Sequence, residues 1–448
     1  MARWKDLPLE VINLILNYVE DDNIDINILQ FACLSRLSKA FYIHVRPFLY
    51  KHIRISQSRL RGSTRPTSSE DLFARSLSEN PDLARLPRSM TITCLFQDDD
   101  QVASFQHLLK SLPLLKELNI KAFSATLDCL DLTEDMAPNL RCLNILRQRH
   151  LKWYQVIQYM HLPQLESLIV GSFGPDDNAD RAAAGRQMAV AGSTVKSLSI
   201  NLDAECSADF DTVLSHCPSL ESLTCTFSWS GGYYSHSMMS IENLSRTLEN
   251  RLSKNLTRLH LKCKVSMYIE NDFPIDLSPF TSITELEIDA MFLFDTNAMR
   301  YPSMREGVHT RLPPALKNLQ IVFASNSAAF EIYDDDFPEL EETATRENIP
   351  VVYELQNLTW LVEITTLPCL SHVHVLENHQ LRRCGISYDE ADHIDPPGVI
   401  DAAFAKKGIN LELWIRPRLH PKWRHSSYLR MTKPKRFKPG PVLTLKSR

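Results

Sequence analysis

Four side chains able to bind a borderline metal crowd one stretch of the chain: Cys369, His372, His374 and His379. Alternation along a strand puts His372 and His374 on one face, opposite Val373 and Val375, a spacing that suits zinc. Closed zinc sites usually bring tighter pairs such as C-x-x-C or H-x-x-x-H, so the expectation is two histidines displayed on a sheet face and no metal. The carboxylates of Asp334, Asp335 and Asp336 lie in a charged, proline-containing run, which reads as a solvated insertion rather than a general acid–base pair. A nucleophilic thiol needs a base and an electropositive setting, and nothing singles out one of the ten cysteines. With only 12 glycines, the chain contains neither G-x-x-x-x-G-K-[ST] nor G-x-G-x-x-G, and G-x-S-x-G is absent too. The sequence therefore predicts no catalytic site, no metal and no cofactor.

The elements that would carry these residues are bounded by composition. At 448 residues, 44% of them hydrophobic, the chain holds material for two or three domains, and a net charge of −5 selects no partner. Arg3, Lys5, Asp6 and Glu10 break any early apolar run, and no stretch approaches the ~18–20 apolar residues of a membrane span. The cysteines are scattered without a C-x-x-C pair, as expected of reduced thiols in a cytoplasmic or nuclear protein.

A template of the form apolar-x-x-apolar-x-apolar recurs along most of the chain. It appears as PLLKELNI (113–120), PNLRCLNI (138–145), PQLESLIV (163–170), STVKSLSI (193–200), PSLESLTC (218–225), KNLTRLHL (254–261), TSITELEI (281–288), PALKNLQI (314–321) and PCLSHVHV (368–375), with a weaker copy at 86–92. The last two apolar positions share one face of a strand, and the first anchors the turn before it. Successive first anchors, from Leu115 to Leu370, are 25, 25, 30, 25, 36, 27, 33 and 54 residues apart. Such periods are those of leucine-rich repeats, with one strand and one helix per turn. The helical half shows where Phe210, Val213 and Leu214 take helical spacing ahead of a strand. The 54-residue interval is expected to hide a degenerate repeat with 351–364 as its helix, and a last unit comprises 399–408, Gly408 as C-cap, and a strand at 411–415. Extra length follows the strands at 171–186, 227–240, 264–276, 290–311 and 325–348, which should gather along one edge of a concave sheet. Aromatic residues flank two glycines in the second of these, so Trp229, Tyr233 and Tyr234 are the candidate contacts for a target protein.

Ahead of the repeats, Leu9, Ile12, Ile15, Leu16 and Val19 form one helical stripe, followed by a second periodic run (Ile26, Leu29, Cys33, Leu34, Leu37) and a third from Ser38 expected to stop near Pro47. Leu7-Pro8-x-Glu10, Ser38-Lys39-Ala40-Phe41, Pro47-Phe48-Leu49-Tyr50 and His52-Ile53-Arg54-Ile55 occur in the order found in F-box proteins. The stretch resembles an F-box of the fungal kind, though the acidic segment 20–25 makes the gap between its first two helices longer than usual. The resemblance implies an α/β protein with a three-helix F-box at 1–55, a linker at 56–70, a leucine-rich-repeat-like solenoid with one parallel strand per repeat at 71–416, and a tail at 417–448. It further implies the non-catalytic substrate receptor of an SCF-type ubiquitin ligase, bound through a Skp-type adaptor to a cullin. Leu7, Pro8, Ile12, Ile15, Leu16, Leu34, Leu37 and Phe41 would form the adaptor surface or its immediate support. The runner-up reading is a repeat scaffold whose first helices merely cap the solenoid. From Arg416 onward the chain has eleven Lys and Arg and no carboxylate side chain, as expected of a basic, disordered tail rather than a nucleic-acid-binding element.

Overall fold

The computed structural model describes residues 9–19, 24–56, 69–94, 99–122, 132–147, 151, 153–173, 192–203, 207–228, 241–252, 254–263, 273–300, 304–323, 352–354, 359–377, 392–394, 396, 398–415 and 444–446. They belong to two compact units, Met1–Leu220 and Glu221–Arg448.

The first unit begins with three helices, α1 (Leu9–Val19), α2 (Ile24–Ser35) and α3 (Lys39–Leu49). Six strands follow: β1 (His52–Ser56), β2 (Ser89–Cys94), β3 (Glu117–Ala122), β4 (Cys142–Arg147), β5 (Ser167–Phe173) and β6 (Ser197–Asp203). They lie side by side in sequence order, and every pairing is parallel. Parallel neighbours require a crossover, and helices supply several: α4 (Ser69–Glu79), α5 (Asp99–Lys110) and α6 (Trp153–Met160); a further helix, α7 (Ser207–Ser215), follows β6. The template explains the register. Leu118 and Ile120, Leu143 and Ile145, Leu168 and Val170, and Leu198 and Ile200 are all buried beneath one sheet face, while the first anchors Leu115, Leu140, Leu165 and Val195 are buried in the turns. Each such side chain contributes about 1.5–3 kcal/mol.

A second device joins the turns. One carbonyl just ahead of each strand accepts two amide protons from the next turn. Lys51 accepts from Arg88 and Ser89, Arg88 from Lys116 and Glu117, Lys116 from Arg141 and Cys142, Arg141 from Glu166 and Ser167, and Glu166 from Lys196 and Ser197, at 2.8–3.1 Å.

The second unit repeats the scheme. Strands β7 (Ser222–Ser228), β8 (Arg258–Cys263), β9 (Glu285–Asp289), β10 (Asn318–Phe323), β12 (His372–Glu377) and β14 (Asn410–Ile415) are parallel neighbours in that order. The short β13 (Asp392–Ile394) runs antiparallel along the other edge of β14. Helix α8 (Ile241–Leu252) buries Ile241, Leu244, Leu248 and Leu252, a stripe at helical spacing. The last helix, α12 (Gly398–Lys407), ends as the sequence predicts. Gly408 has φ +67°, its N–H reaches the Ala405 carbonyl, and the Ile409 N–H reaches that of Phe404. This double bond needs a left-handed residue that glycine supplies without strain.

Helix α3 ends at Leu49, near Pro47 as the sequence predicts, and the Tyr50 N–H bonds the Arg46 carbonyl at 3.1 Å. In a last turn proline forfeits a single bond, and continuing lets Phe48 pack 5.4 Å from the Phe31 ring. Other expectations change. Among the described residues the 54-residue interval adds no strand to the sheet, where β10 pairs directly with β12. Among the described residues of 351–364, α11 (Thr359–Ile364) is helical, whereas β11 (Val352–Glu354) is extended, in keeping with Val352 and Tyr353 as strand formers. Its parallel partner is β15 (Thr444–Lys446), so part of the basic tail is ordered strand. Finally, 290–311 is no open edge loop. Helices α9 (Ala290–Leu293) and α10 (Thr296–Arg300) and a 3-10 turn at Val308–Arg311 bury Ala290, Phe292, Leu293, Phe294, Ala298 and Val308 as the crossover from β9 to β10. Of the expected linker, 56–70, residues 57–68 lie outside the described residues, while Ser56 ends β1 and Ser69 and Glu70 open α4; β1, read from sequence as the end of the first domain, hydrogen-bonds to β2.

Candidate protein-interaction surfaces

Helices α1 to α3 enclose a small core of Ile12, Leu16, Phe31 and Val45, with Leu34, Phe48 and Leu49 packed against it. So small a core leaves much apolar surface uncovered. Leu14 is 69% exposed, Leu37 64% and Ile43 61%, and Val11, Ile15 and Tyr42 are exposed as well. Of the residues expected to serve an adaptor, Ile12 and Leu16 are therefore internal support, Leu34 is half-buried, and Ile15 and Leu37 reach the surface. Leu7, Pro8 and the side chain of Phe41 lie outside the described residues. Periodicity missed Leu14 and Ile43 because it seeks the buried stripe. They stand off it, and their apolar character was the available signal.

The outward sheet faces of the two units differ in how charge is arranged. In the first, the row at one register level is Arg54, Thr91, Asn119, Asn144, Ile169 and Ser199, polar for the most part with a single charge at its β1 end. In the second, adjacent strands carry opposite charge: β8 presents Arg258, His260 and Lys262 at alternate positions, and β9 presents Glu285, Glu287 and Asp289. Arg258 is in register with Glu285, and His260 with Glu287. Glu287 is the hub. Its carboxylate accepts from Lys262 Nζ at 3.0 Å and from Gln320 Nε2 at 3.1 Å, with His260 Nδ1 3.5 Å away. Thr224 Oγ1 is 3.5 Å from the same His260 nitrogen. Burial holds His260 below the usual histidine range, opposed by the Glu287 charge. Asp289 accepts the Cys263 N–H, and burial pushes its carboxyl up to about 7. Strand alternation of RLHLKC against ELEID makes this ladder legible in the sequence.

Behind the sheet, Arg305 is fully buried within the second unit. Its guanidinium carbon sits 4.8 Å from the Phe323 ring centroid, 5.0 Å from Phe294 and 5.8 Å from Trp360. Nε donates to the Ala298 carbonyl at 2.8 Å and Nη2 to that of Met299 at 3.3 Å. Burial lowers its pKa to about 9, opposed by the Glu377 charge, so it stays protonated at neutral pH. The residue closes the β9–β10 crossover and offers nothing to solvent. No sequence motif announced it.

Trp229, Tyr233 and Tyr234, the expected target contacts, lie outside the described residues, as does His379. Cys369 and His372 are exposed, while His374 is half-buried with its ring 6.4 Å from Trp414. Among the described residues no group of three or more His, Cys, Asp or Glu is placed to hold a metal ion, and no helix is long and apolar enough to cross a membrane. No model of a known protein family matches this chain, and no curated protein is detectably similar to it.

Proposed function

We propose that this protein is the substrate-recognition subunit of an SCF-type ubiquitin ligase. In this reading α1–α3 act as an F-box on a Skp-type adaptor, and a leucine-rich-repeat-like solenoid holds the target. The observation that carries the proposal is the set of large apolar side chains, Leu14, Leu37 and Ile43 foremost, uncovered on a three-helix segment of minimal core. Exposed apolar surface of this kind marks an interaction site. The work of such a subunit is positional: it brings a target lysine to a conjugating enzyme held elsewhere in the assembly, and proximity supplies the rate. Chemistry belongs to the other subunits. The mostly polar face of the first unit and the charged ladder of the second would offer a target polar contacts, with Trp229, Tyr233 and Tyr234 as aromatic anchors.

One observation favours a second reading, a repeat scaffold without a ubiquitin role. The chain passes from α3 into β1 after two residues, and Arg46 of α3 donates to Asn80 Oδ1 at 3.2 Å, as a solenoid cap would. Co-purification with a purified Skp-type adaptor separates the two. Leu14→Asp combined with Leu37→Asp changes only exposed positions, so the circular dichroism spectrum should not change. Adaptor capture should fall at least tenfold, since two buried apolar contacts of ~1.5–3 kcal/mol are lost. Equal capture by wild type and variant would refute docking through this surface, and no capture by wild type would favour the scaffold.

A further inference from the structure

We propose that His161 and His216 together chelate a divalent transition-metal ion of the zinc class, independently of any ubiquitin role. His161 directly follows α6, and His216 directly follows α7. Both occupy the same place in the repeat template, two residues ahead of Pro163 and Pro218. His161 Nε2 and His216 Nδ1 are 3.2 Å apart, with the rings perpendicular and their centroids 5.3 Å apart. Two imidazole nitrogens bound at about 2.0–2.1 Å to a tetrahedral ion stand about 3.3–3.4 Å apart, so the pair already has the bite of a chelate.

The backbone holds both residues in place. The His161 N–H bonds the Ile157 and Gln158 carbonyls and the His216 N–H that of Val213, while the His216 carbonyl accepts the Ser193 N–H. The electrostatics favour a cation. Helices of eight and nine residues both end here, and each C-terminus carries about half a negative charge. Among the described residues no carboxylate joins the pair to make a third ligand. The adjacent Cys217 is no ligand. Its thiol lies 3.5 Å from Met160 Sδ in the core, and burial pushes its pKa up to about 12. Two imidazoles select zinc, copper or nickel over magnesium or calcium. With no third protein ligand among the described residues, the other positions take water or a partner's side chain, so the ion exchanges readily.

The test uses the full chain at pH 7.5, with thermal unfolding followed in zinc chloride, in magnesium chloride and without added metal. Wild type should gain about 2–4 °C in zinc and nothing in magnesium. The chain has 15 histidines, so the decisive quantity is the difference between wild type and His161→Gln or His216→Gln, which should both lose the gain. If His216→Gln fails to fold, His161→Gln at its half-buried position decides alone. Calorimetric titration of that variant should then show one zinc fewer than wild type. No shift in wild type, meaning the pair binds protons only, overturns the proposal. So does an equal shift in wild type and His161→Gln.

Discussion

Asp289 ends a strand with its carboxyl buried, and its titration is tied to folding. Its pKa is 3.8 in an open chain and about 7 in the fold. Between those values the folded state holds a proton that the unfolded chain has released, so this group's contribution to stability grows as pH falls through 7. Above pH 7 the buried carboxylate is a liability. Asp289→Asn keeps an oxygen for the Cys263 N–H and removes the charge. It should raise the melting temperature by a few degrees at pH 8 and barely at pH 5, and thermal unfolding across that range checks it. His216 works in the opposite sense. Its folded pKa is depressed, so stability held above the ordinary histidine range is lost as pH falls below about 6.5. Neither shift was legible in the sequence, because each arises from burial by residues distant in the chain. The His161–His216 pair was half legible, since both histidines hold one template position 55 residues apart, but the pairing itself needs coordinates.

At the scale of elements, the strands were the most legible part. Each carries two apolar anchors two residues apart, a pattern with one physical solution when a single face is buried. That register makes a sharp prediction. Leu223→Asp puts an unpaired charge where the side chain is fully buried and should unfold the neighbouring turns, costing several kcal/mol. Glu221→Ala, just outside the anchor and exposed, should change stability far less, by about 0.5 kcal/mol, because the substitution keeps the carbonyl that accepts the Thr257 and Arg258 N–H groups. Equal melting temperatures for the two variants would contradict the register. Crossovers were harder. The run from Ala290 to Phe294 is too short to show a helical period, so it reads as loop, yet Phe292, Leu293 and Phe294 are all buried. Arg305, with the spacing of any surface arginine, gave no sign that three aromatic rings would enclose it. The apolar side chains of α1 and α3 announced a partner-seeking segment by excess of hydrophobicity over core, while the partner itself is written in no residue.

For the whole molecule, the boundary between adaptor docking and target binding is a prediction about cutting. The Lys51 carbonyl accepts the first two donors of the repeat ladder, so a truncation must spare it. A chain beginning at Lys51 should keep a cooperative thermal unfolding transition and its co-purifying targets while losing the adaptor, with its circular dichroism reduced only by the helical signal of α1–α3. Collapse of the repeats on truncation would instead make the helices a structural cap. The same ladder has a consequence for how the protein is made. Every rung within each unit points one way: the later turn donates and the earlier turn accepts. A turn leaving the ribosome therefore finds the carbonyl its two amide protons need already synthesised, so each rung can close as soon as its donors emerge. At elongation rates of ~5–20 residues per second, a turn of some 25 to 30 residues arrives every ~1–6 s. Either unit can grow at the pace of translation, each new strand zipping onto the one before while the rest of the message is still being read.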